Sequence, residues 1–551
     1  MSQAPSKEEA RLRLAERLKD EGNALFSKQK YGPASKKYTE AIAIDNSNPI
    51  LYANRSACRL SLKQYLDAVA DATRAVELNP MYAKAYARVA TARDALGQPS
   101  LSKVAWQKAL DALPSENLTE AEMKQKKQYE DGLAAALKAT KEEETNDRQH
   151  VSRMKVPPKD ATPWMCGMEM LPQLRREENY HSSAWLIAQA YHEFQRGTQM
   201  MMEIYTYGDN MVNLNLGALE TISNAMLYDT RVFHVPSPSW LPKFNQQVVA
   251  ESQIRNAWTT AGPDKVFQEA ENRLLQEGWD NVRPALSTTV RCWILRALLE
   301  GGLRSNHVSE VEYLGRVIEV IEWGRKVWKD VDFSSRGAIF RDTFLRGVKK
   351  LHMEALTEAY HQEKDIDAKN RLLEDLFQEA ESIIQDVDGN PIPPRENDPS
   401  FAEAYYYYPR GFAKAIKAFY YKEKSQSTKG QEESDGFMMK ALQAYLDAVE
   451  DFPEDEEKRA TFLNGALENA MRAGAPVKMQ LQLMEDLRTA LPRIQKIWAY
   501  SPSAISGRDN TIKKNLEYEA EIRRLLAAGT LTQEDRYRWS PSRTTQTRGR
   551  I

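Results

Sequence analysis

Three short stretches decide the reading: LKDEGNALF at residues 18–26, YANRSA at 52–57 and YAKAYAR at 82–88. They belong to one repeating frame. Gly22, Ser56 and Ala90 are small residues with a constant spacing of 34, and Ala41, Ala75 and Ala109 keep the same step. So do Ala34 with Ala68, and the set Tyr38, Ala72 and Trp106. Pro80 and Pro114 close the second and third units, whereas the first has Asn46 there and Pro49 slightly later. Small residues at fixed places let the two helices of a hairpin approach closely, and proline stops the second helix. One such hairpin cannot bury its apolar stripe alone, so three stack and require a cap. Thr119-Glu120-Ala121-Glu122 reads as a capping box that opens this cap. The cap helix carries Met123, Tyr129, Leu133 and Leu137 on its apolar side and is expected to end near Ala139.

The totals bound the rest. A chain of 551 residues is too long for one core and is expected to form two or more domains. Its 76 basic and 78 acidic side chains give a net charge of -2, so no global field draws it to nucleic acid or membrane. Cys58, Cys166 and Cys292 lie far apart with no CxxC pair, which excludes a disulfide scaffold or a cysteine zinc site and fits a reducing compartment. No apolar run reaches the roughly 18 residues of a membrane span, and the first residues are polar with no apolar signal core. The expected location is the cytoplasm.

A period of 34 with this pattern resembles the tetratricopeptide repeat, over roughly residues 8–114. In that architecture the first helix of each hairpin lines a concave groove. Lys19 and Asn23 are four apart and share a face of the first such helix; Asn54 lies on the next, and Lys84 and Arg88, again four apart, lie on the third. Two lysines, an arginine and two amides on one groove match two carboxylates held close together. A chain-terminal aspartate has that chemistry. Lys84 and Arg88 are expected on the exposed concave surface.

At these residues the resemblance narrows to the two-carboxylate clamp domains of heat-shock co-chaperones, in particular the Hsp-organising ones, over about residues 8–139. Those domains bind the extreme C-terminal Glu-Glu-Val-Asp of the seventy- and ninety-kilodalton chaperones. The resemblance implies that Lys19, Asn23 and Asn54 hold the terminal carboxylate, that Lys84 meets the aspartate side chain, and that Arg88 meets the peptide upstream. Phe26 and Ala57 would line the pocket for the valine.

Beyond the cap, residues 141–163 lack periodicity, begin as a charge run and contain three prolines, so they read as a linker. From Trp164 the spacing is helical, in stretches such as 183–206, 308–329, 336–361, 366–385 and 457–498, with breaks at 234–243 and 390–399. Ala441, Tyr445, Ala448 and Pro453 repeat the offsets of the second helices above, which points to a degenerate repeat-like domain over 164–530. Residues 536–551 hold five arginines and no acid, and 531–551 reads as a basic disordered tail.

Other chemistry finds little support. The sequence has no GxGxxG, GxxxxGK[ST], HExxH or GxSxG. His192-Glu193 lacks a second histidine, and Asp386–Asn390 begins like a calcium loop but has Pro391 where that loop needs glycine. The cluster YYYYPRGFAKAIKAFYYKEK (405–424) is read as a helix burying tyrosines under lysines, its functional version being a protein groove at Tyr405–Tyr408. The acidic run EDFPEDEE (450–457) reads as a solvated turn.

The expectation is therefore an all-α protein: a clamp domain at 1–140, a linker at 141–163, a helical domain at 164–530 and the tail. It is expected to be a chaperone-binding adaptor, not an enzyme, with no catalytic residues, metal or cofactor. Its partners would be chaperone tails and, at the second domain, a client or other protein; nucleic acid and membrane are not expected. Two alternatives stay open at this point, an enzyme with an unfamiliar active site in 164–530, and a scaffold for another acidic C-terminus.

Overall fold

The computed structural model describes residues 7–114, 116, 118–153, 161–203, 205–207, 211–259, 262–393 and 398–538. The chain divides into two compact units, one of residues 1–154 with 251–337 and one of 155–250 with 338–551. The expected helical domain of 164–530 is thus split: 251–337 belongs to the unit that holds the repeats. Among the described residues the fold is all-α apart from a two-stranded antiparallel hairpin, β1 (Tyr205–Tyr207) and β2 (Met211–Asn213). No helix among them is long and apolar enough to cross a membrane.

The first unit opens with α1 (Lys7–Ser27), α2 (Tyr31–Ile44), α3 (Pro49–Ser61), α4 (Tyr65–Leu78), α5 (Ala83–Ala95), α6 (Pro99–Asp111) and α7 (Glu120–Arg153). α1 pairs with α2, α3 with α4 and α5 with α6. The small residues lie at the seams. A Cβ on Gly22 would sit 2.7 Å from the Tyr38 ring, and one on Gly132 would sit 2.6 Å from the Trp106 indole. The seam hydroxyls exchange sides between repeats: Ser56 donates to the Ala68 carbonyl at 2.8 Å, whereas Ser102, on the opposite helix, donates to that of Ala90 at 3.2 Å.

A second 34-residue signal lies in the hairpin turns. Each first helix ends through a left-handed residue, Gln29 (φ 58°), Lys63 (60°) and Gly97 (59°). Each turn then closes by the same bond, from Lys30 N to Leu25 O, Gln64 N to Arg59 O and Gln98 N to Arg93 O. This is the six-residue return that satisfies the last carbonyls of a helix. Only the third turn has the glycine that such a conformation favours.

The capping box forms as read, with Glu122 accepting from Thr119 N at 2.8 Å and Thr119 Oγ1 accepting from Glu122 N at 3.3 Å. α7 does not stop near Ala139, however; it continues to Arg153 and takes in the first part of the expected linker. Residues 154–160 of that linker lie outside the described residues. Tyr129 and Ala136 pack with Trp106 and Ala109, while Met123 and Leu137 remain exposed.

Helices Pro263–Glu277, Trp279–Arg304 and His307–Val327 and the short Phe333–Arg336 also belong to this unit, with His307–Val327 against α4. A buried charge cluster joins them. Arg55 and Arg59 both hold Asp71, at 2.7 and 2.6 Å, Arg59 also pairs with Asp264, and Arg316 lies 3.5 Å from Asp67. Glu312 accepts from the Leu66 backbone N–H at 3.3 Å. Asn306 and Ser309 donate to the Leu96 carbonyl at the end of α5.

In the second unit, helices Pro163–Arg176, Ser183–Met202 and Ala218–Tyr228 pack in sequence. Helices Asp342–Gln362, Ile366–Gly389, Tyr408–Ser427, Gln431–Val449, Glu457–Ala473 and Val477–Trp498 do the same. The Tyr445 ring lies on Gly465 as Tyr38 lies on Gly22. The acidic run at 450–457 is no solvated turn. Asp451, Glu456 and Glu457 are buried, Asp451 bonded to Arg410 and Lys414, and the other two to Arg231. Arg231 also holds Asp229 at 2.6 Å and lies 3.8 Å above the Trp498 ring. Burial alone would raise the Asp229 carboxyl, but the Arg231 guanidinium holds it down at about 2. Its contribution to stability is present above the ordinary value of 3.8 and is lost as pH falls through about 2. Nor does the tail begin at 531. Val477 N and Lys478 N donate to Asp535 O and Gln533 O, and Gln480 donates to Tyr537 O. Residues 539–551 lie outside the described residues.

Three substitutions test these devices. Lys63→Gly relieves a left-handed residue that costs about 1 kcal/mol and adds slightly less chain entropy, so urea unfolding is expected to show a gain of about 0.5 kcal/mol. Gly97→Ala meets the Asn306 side chain at 2.6 Å and is expected to destabilise by more than that. Arg231→Leu leaves the buried Asp229 and Glu456 without their ion-pair partner, while Glu457 keeps Arg508. The second unit is expected to lose about 3–5 kcal/mol, read as an earlier transition in tryptophan fluorescence.

Candidate functional site

The first helices carry the candidate residues because each hairpin repeats the same face. α1 presents Lys19, Asn23 and Phe26; α3 presents Asn54 and Ala57; α5 presents Lys84 and Arg88. α3 packs beside both α1 and α5. Between them lies a cavity of about 210 Å³ lined by Asn23, Phe26, Ser27, Tyr38, Asn54, Ala57 and Arg88. Five of the seven residues singled out in the sequence therefore meet at one cavity. Lys19 and Lys84 are not in its lining: Lys19 is half-buried and paired with Glu16, and Lys84 is exposed.

The amides are organised. Asn23 Oδ1 accepts from the Tyr38 hydroxyl at 2.7 Å and from Asn54 Nδ2 at 3.1 Å. Tyr38 is 1% exposed, and burial pushes its hydroxyl up to about 12, against the pull of Arg88. It remains a donor across the physiological range. Phe26 is set by an edge-on contact with Tyr31, ring centroids 5.3 Å apart.

Arg88 departs from the expectation of an exposed cation: it is half-buried, and its Nη1 is fully buried without a hydrogen-bond partner. Burial lowers its pKa, partly offset by the surrounding phenols of Tyr82, Tyr129 and Tyr38. A guanidinium stays charged in such a place, and an unmatched donor there is costly unless an acceptor arrives. Behind it, burial raises the Cys58 thiol to about 11, so the thiol is neutral. No carboxylate lines the cavity.

Two lining residues were not found as such in the sequence. Tyr38 was visible only as a packing position of the repeat, and Ser27 gave no signal. The other candidates fall to structural roles. Tyr405, Tyr406 and Tyr408 are 7%, 7% and 2% exposed, so they form core rather than a groove. Asp386 and Asp388 end a helix and bind Arg346 and Arg410. Among the described residues no cluster of histidine, cysteine or acidic side chains could hold a metal ion.

Three 34-residue helical hairpins, a cap helix and a groove lined by their first helices define a tetratricopeptide-repeat domain. No family model matches the chain. Its first part is 45% identical over 97 residues to the heat shock protein sti1 homolog of Schizosaccharomyces pombe, covering 18% of this chain and 16% of that one. It is 38% identical over 126 residues to the Hsp70-Hsp90 organizing protein of Triticum aestivum, 23% of this chain and 20% of that one. The chain thus spans about a fifth or less of the length of these two relatives. Among solved structures, the second repeat domain of human RPAP3, described in complex with the HSP70 peptide SGPTIEEVD, is 33% identical. That match covers 23% of this chain and 97% of the other, and its TM-score of 0.21 gives the superposition itself no weight. The repeat domain of this chain resembles those of the Hsp-organising co-chaperones.

If the cavity is an anion site, a small carboxylate should find it without a peptide. N-acetyl-aspartate at millimolar concentration is expected to shift the side-chain amide resonances of Asn23 and Asn54 in selectively labelled protein, and acetamide is expected not to.

Proposed function

We propose that the groove captures the free C-terminus of a chaperone of the seventy- or ninety-kilodalton heat-shock class, ending Glu-Glu-Val-Asp, and that the protein is a chaperone-binding adaptor. The observation that carries this reading is the half-buried Arg88, its Nη1 unmatched, beside two amides in a cavity with no carboxylate of its own. The names of the sti1 homolog and of the organizing protein support it for the first unit. Asn23 and Asn54 would grip the terminal carboxylate with Lys19 behind them, Lys84 would meet the aspartate side chain, and Arg88 the upstream peptide. Phe26 and Ala57 would form the wall against the valine.

The energetics suit a transient contact. Charge-assisted hydrogen bonds contribute about 1.5–3 kcal/mol each. Several of them, less the cost of ordering the peptide, give an affinity near micromolar, about −8 kcal/mol. We place the adaptor in the cytoplasm and assign it no catalytic step and no cofactor; the second unit would hold a client or other protein.

The test is calorimetry on the full chain with a heptapeptide ending Met-Glu-Glu-Val-Asp. Binding is expected for the free acid and at least tenfold weaker binding for the C-terminal amide. Lys84→Glu replaces an attraction with a repulsion at an exposed position and is expected to cost at least tenfold, about 1.4 kcal/mol, with little change in melting temperature. Wild-type affinity in a folded Lys84→Glu protein would falsify the clamp. Affinity is expected to fall as salt rises, because Lys84 is exposed and screened.

A further inference from the structure

Asn23 stands at the open side of the cavity, yet its amide is not free to turn. Its carbonyl oxygen accepts from the Tyr38 hydroxyl at 2.7 Å and from Asn54 Nδ2 at 3.1 Å. An amide oxygen has two lone pairs, so these donors saturate it. Turning the amide over would break both bonds, set its N–H₂ against the Asn54 N–H₂ and make the Tyr38 hydroxyl accept where it now donates. Asn23 therefore offers only N–H to the groove.

The lock is built from the seam. Tyr38 comes from the second helix of the first hairpin and is fully buried, its ring lying on Gly22, where an added Cβ would be 2.7 Å from Cε1 and 2.9 Å from Cζ. That contact fixes where the hydroxyl can point. Ser27, the other hydroxyl in the lining, donates to the Ala24 carbonyl at 2.9 Å on its own helix and does not touch the amide pair.

We propose that Tyr38 is a positioning residue that sets the Asn23 amide so that the groove reads a carboxylate and rejects a carboxamide. The proposal rests on the clamp reading above and adds the specificity element to it. A carboxylate brings only acceptors, and each meets an N–H. A carboxamide brings N–H₂ into the same place, where the Asn23 carbonyl is already occupied by two donors. An unmatched donor loses its water without replacement. Discrimination then comes from two sources, the charge of the ligand and the orientation of Asn23. Only the second depends on the Tyr38 hydroxyl.

Tyr38→Phe removes one oxygen and leaves the ring on Gly22. Calorimetry on the full chain, with the peptide ending Met-Glu-Glu-Val-Asp as free acid and as C-terminal amide, gives the ratio of the two affinities for each protein. In Tyr38→Phe the acid is expected to bind threefold to tenfold more weakly and the amide no more weakly than before, so the ratio falls at least threefold. A purely structural role for Tyr38 would weaken both ligands alike. A ratio unchanged from wild type, in a variant with the wild-type melting temperature, overturns the proposal. Should Tyr38→Phe lose its melting transition, 3-fluorotyrosine at position 38 keeps ring and hydroxyl but donates more strongly. The ratio is then expected to rise, and an unchanged ratio again overturns the proposal. Wild-type protein that fails to bind the free acid refutes the clamp reading itself, a result distinct from either of these.

Discussion

An aromatic ring lying directly on a glycine backbone is the contact that fixes α1 on α2 and recurs in both units. Tyr38 covers Gly22, Trp106 covers Gly132, Phe452 covers Gly411 and Tyr445 covers Gly465. In each case a Cβ would stand at 3.0 Å or less from the ring. Such a contact brings two helices closer than any side-chain-on-side-chain packing allows, and it buries a large apolar surface in a single step. The contact occurs in both units, although the 34-residue period is plain only in the first. What recurs is the physical solution, not the sequence spacing.

The seam fixes distance; buried charge fixes which helices meet. In the first unit Arg55, Arg59, Asp67 and Asp71 are all buried between α3 and α4. Asp264 and Arg316 from the later helices enter the same cluster. In the second unit Arg231 gathers Asp229, Glu456 and Glu457, and Arg508 reaches Glu457 from further along the chain at 2.5 Å. Apolar faces attract any other apolar face, whereas a buried carboxylate accepts only an arrangement that supplies its cation. Irregular helical packing gains its register this way.

This difference explains what could be read in advance. α1–α6, the cap and the face that carries Asn23, Asn54 and Arg88 follow from local period and from residues three or four apart. The capping box at Thr119 is a four-residue pattern and was legible for the same reason. Long-range partners leave no such trace. EDFPEDEE has the composition of a solvated turn, and cations far off in the chain, Arg231, Arg410, Lys414 and Arg508, make it core. The assignment of 251–337 to the repeat unit was invisible on the same grounds, since Asp264 and Arg316 look like ordinary surface charges. At the site the sequence showed which residue types converge but not their burial. It could not distinguish Lys84, which is exposed, from Arg88, one turn away and packed among phenols.

That gradient of burial across the groove gives its cations separate work. Exposed charges act at a distance and are screened by salt; they govern how often a charged ligand arrives. Buried donors act only on contact, but there the surrounding low dielectric strengthens each bond and penalises any mismatch. Lys84 belongs to the first kind and Arg88 to the second, with the Asn23–Asn54 pair already ordered by Tyr38. Because the amides are held by protein hydrogen bonds before any ligand comes, a ligand need not expend affinity in orienting them. The same arrangement would make the groove selective without making it tight. On the proposed clamp reading it would release a chain end readily while refusing one that lacks the charge or the acceptors.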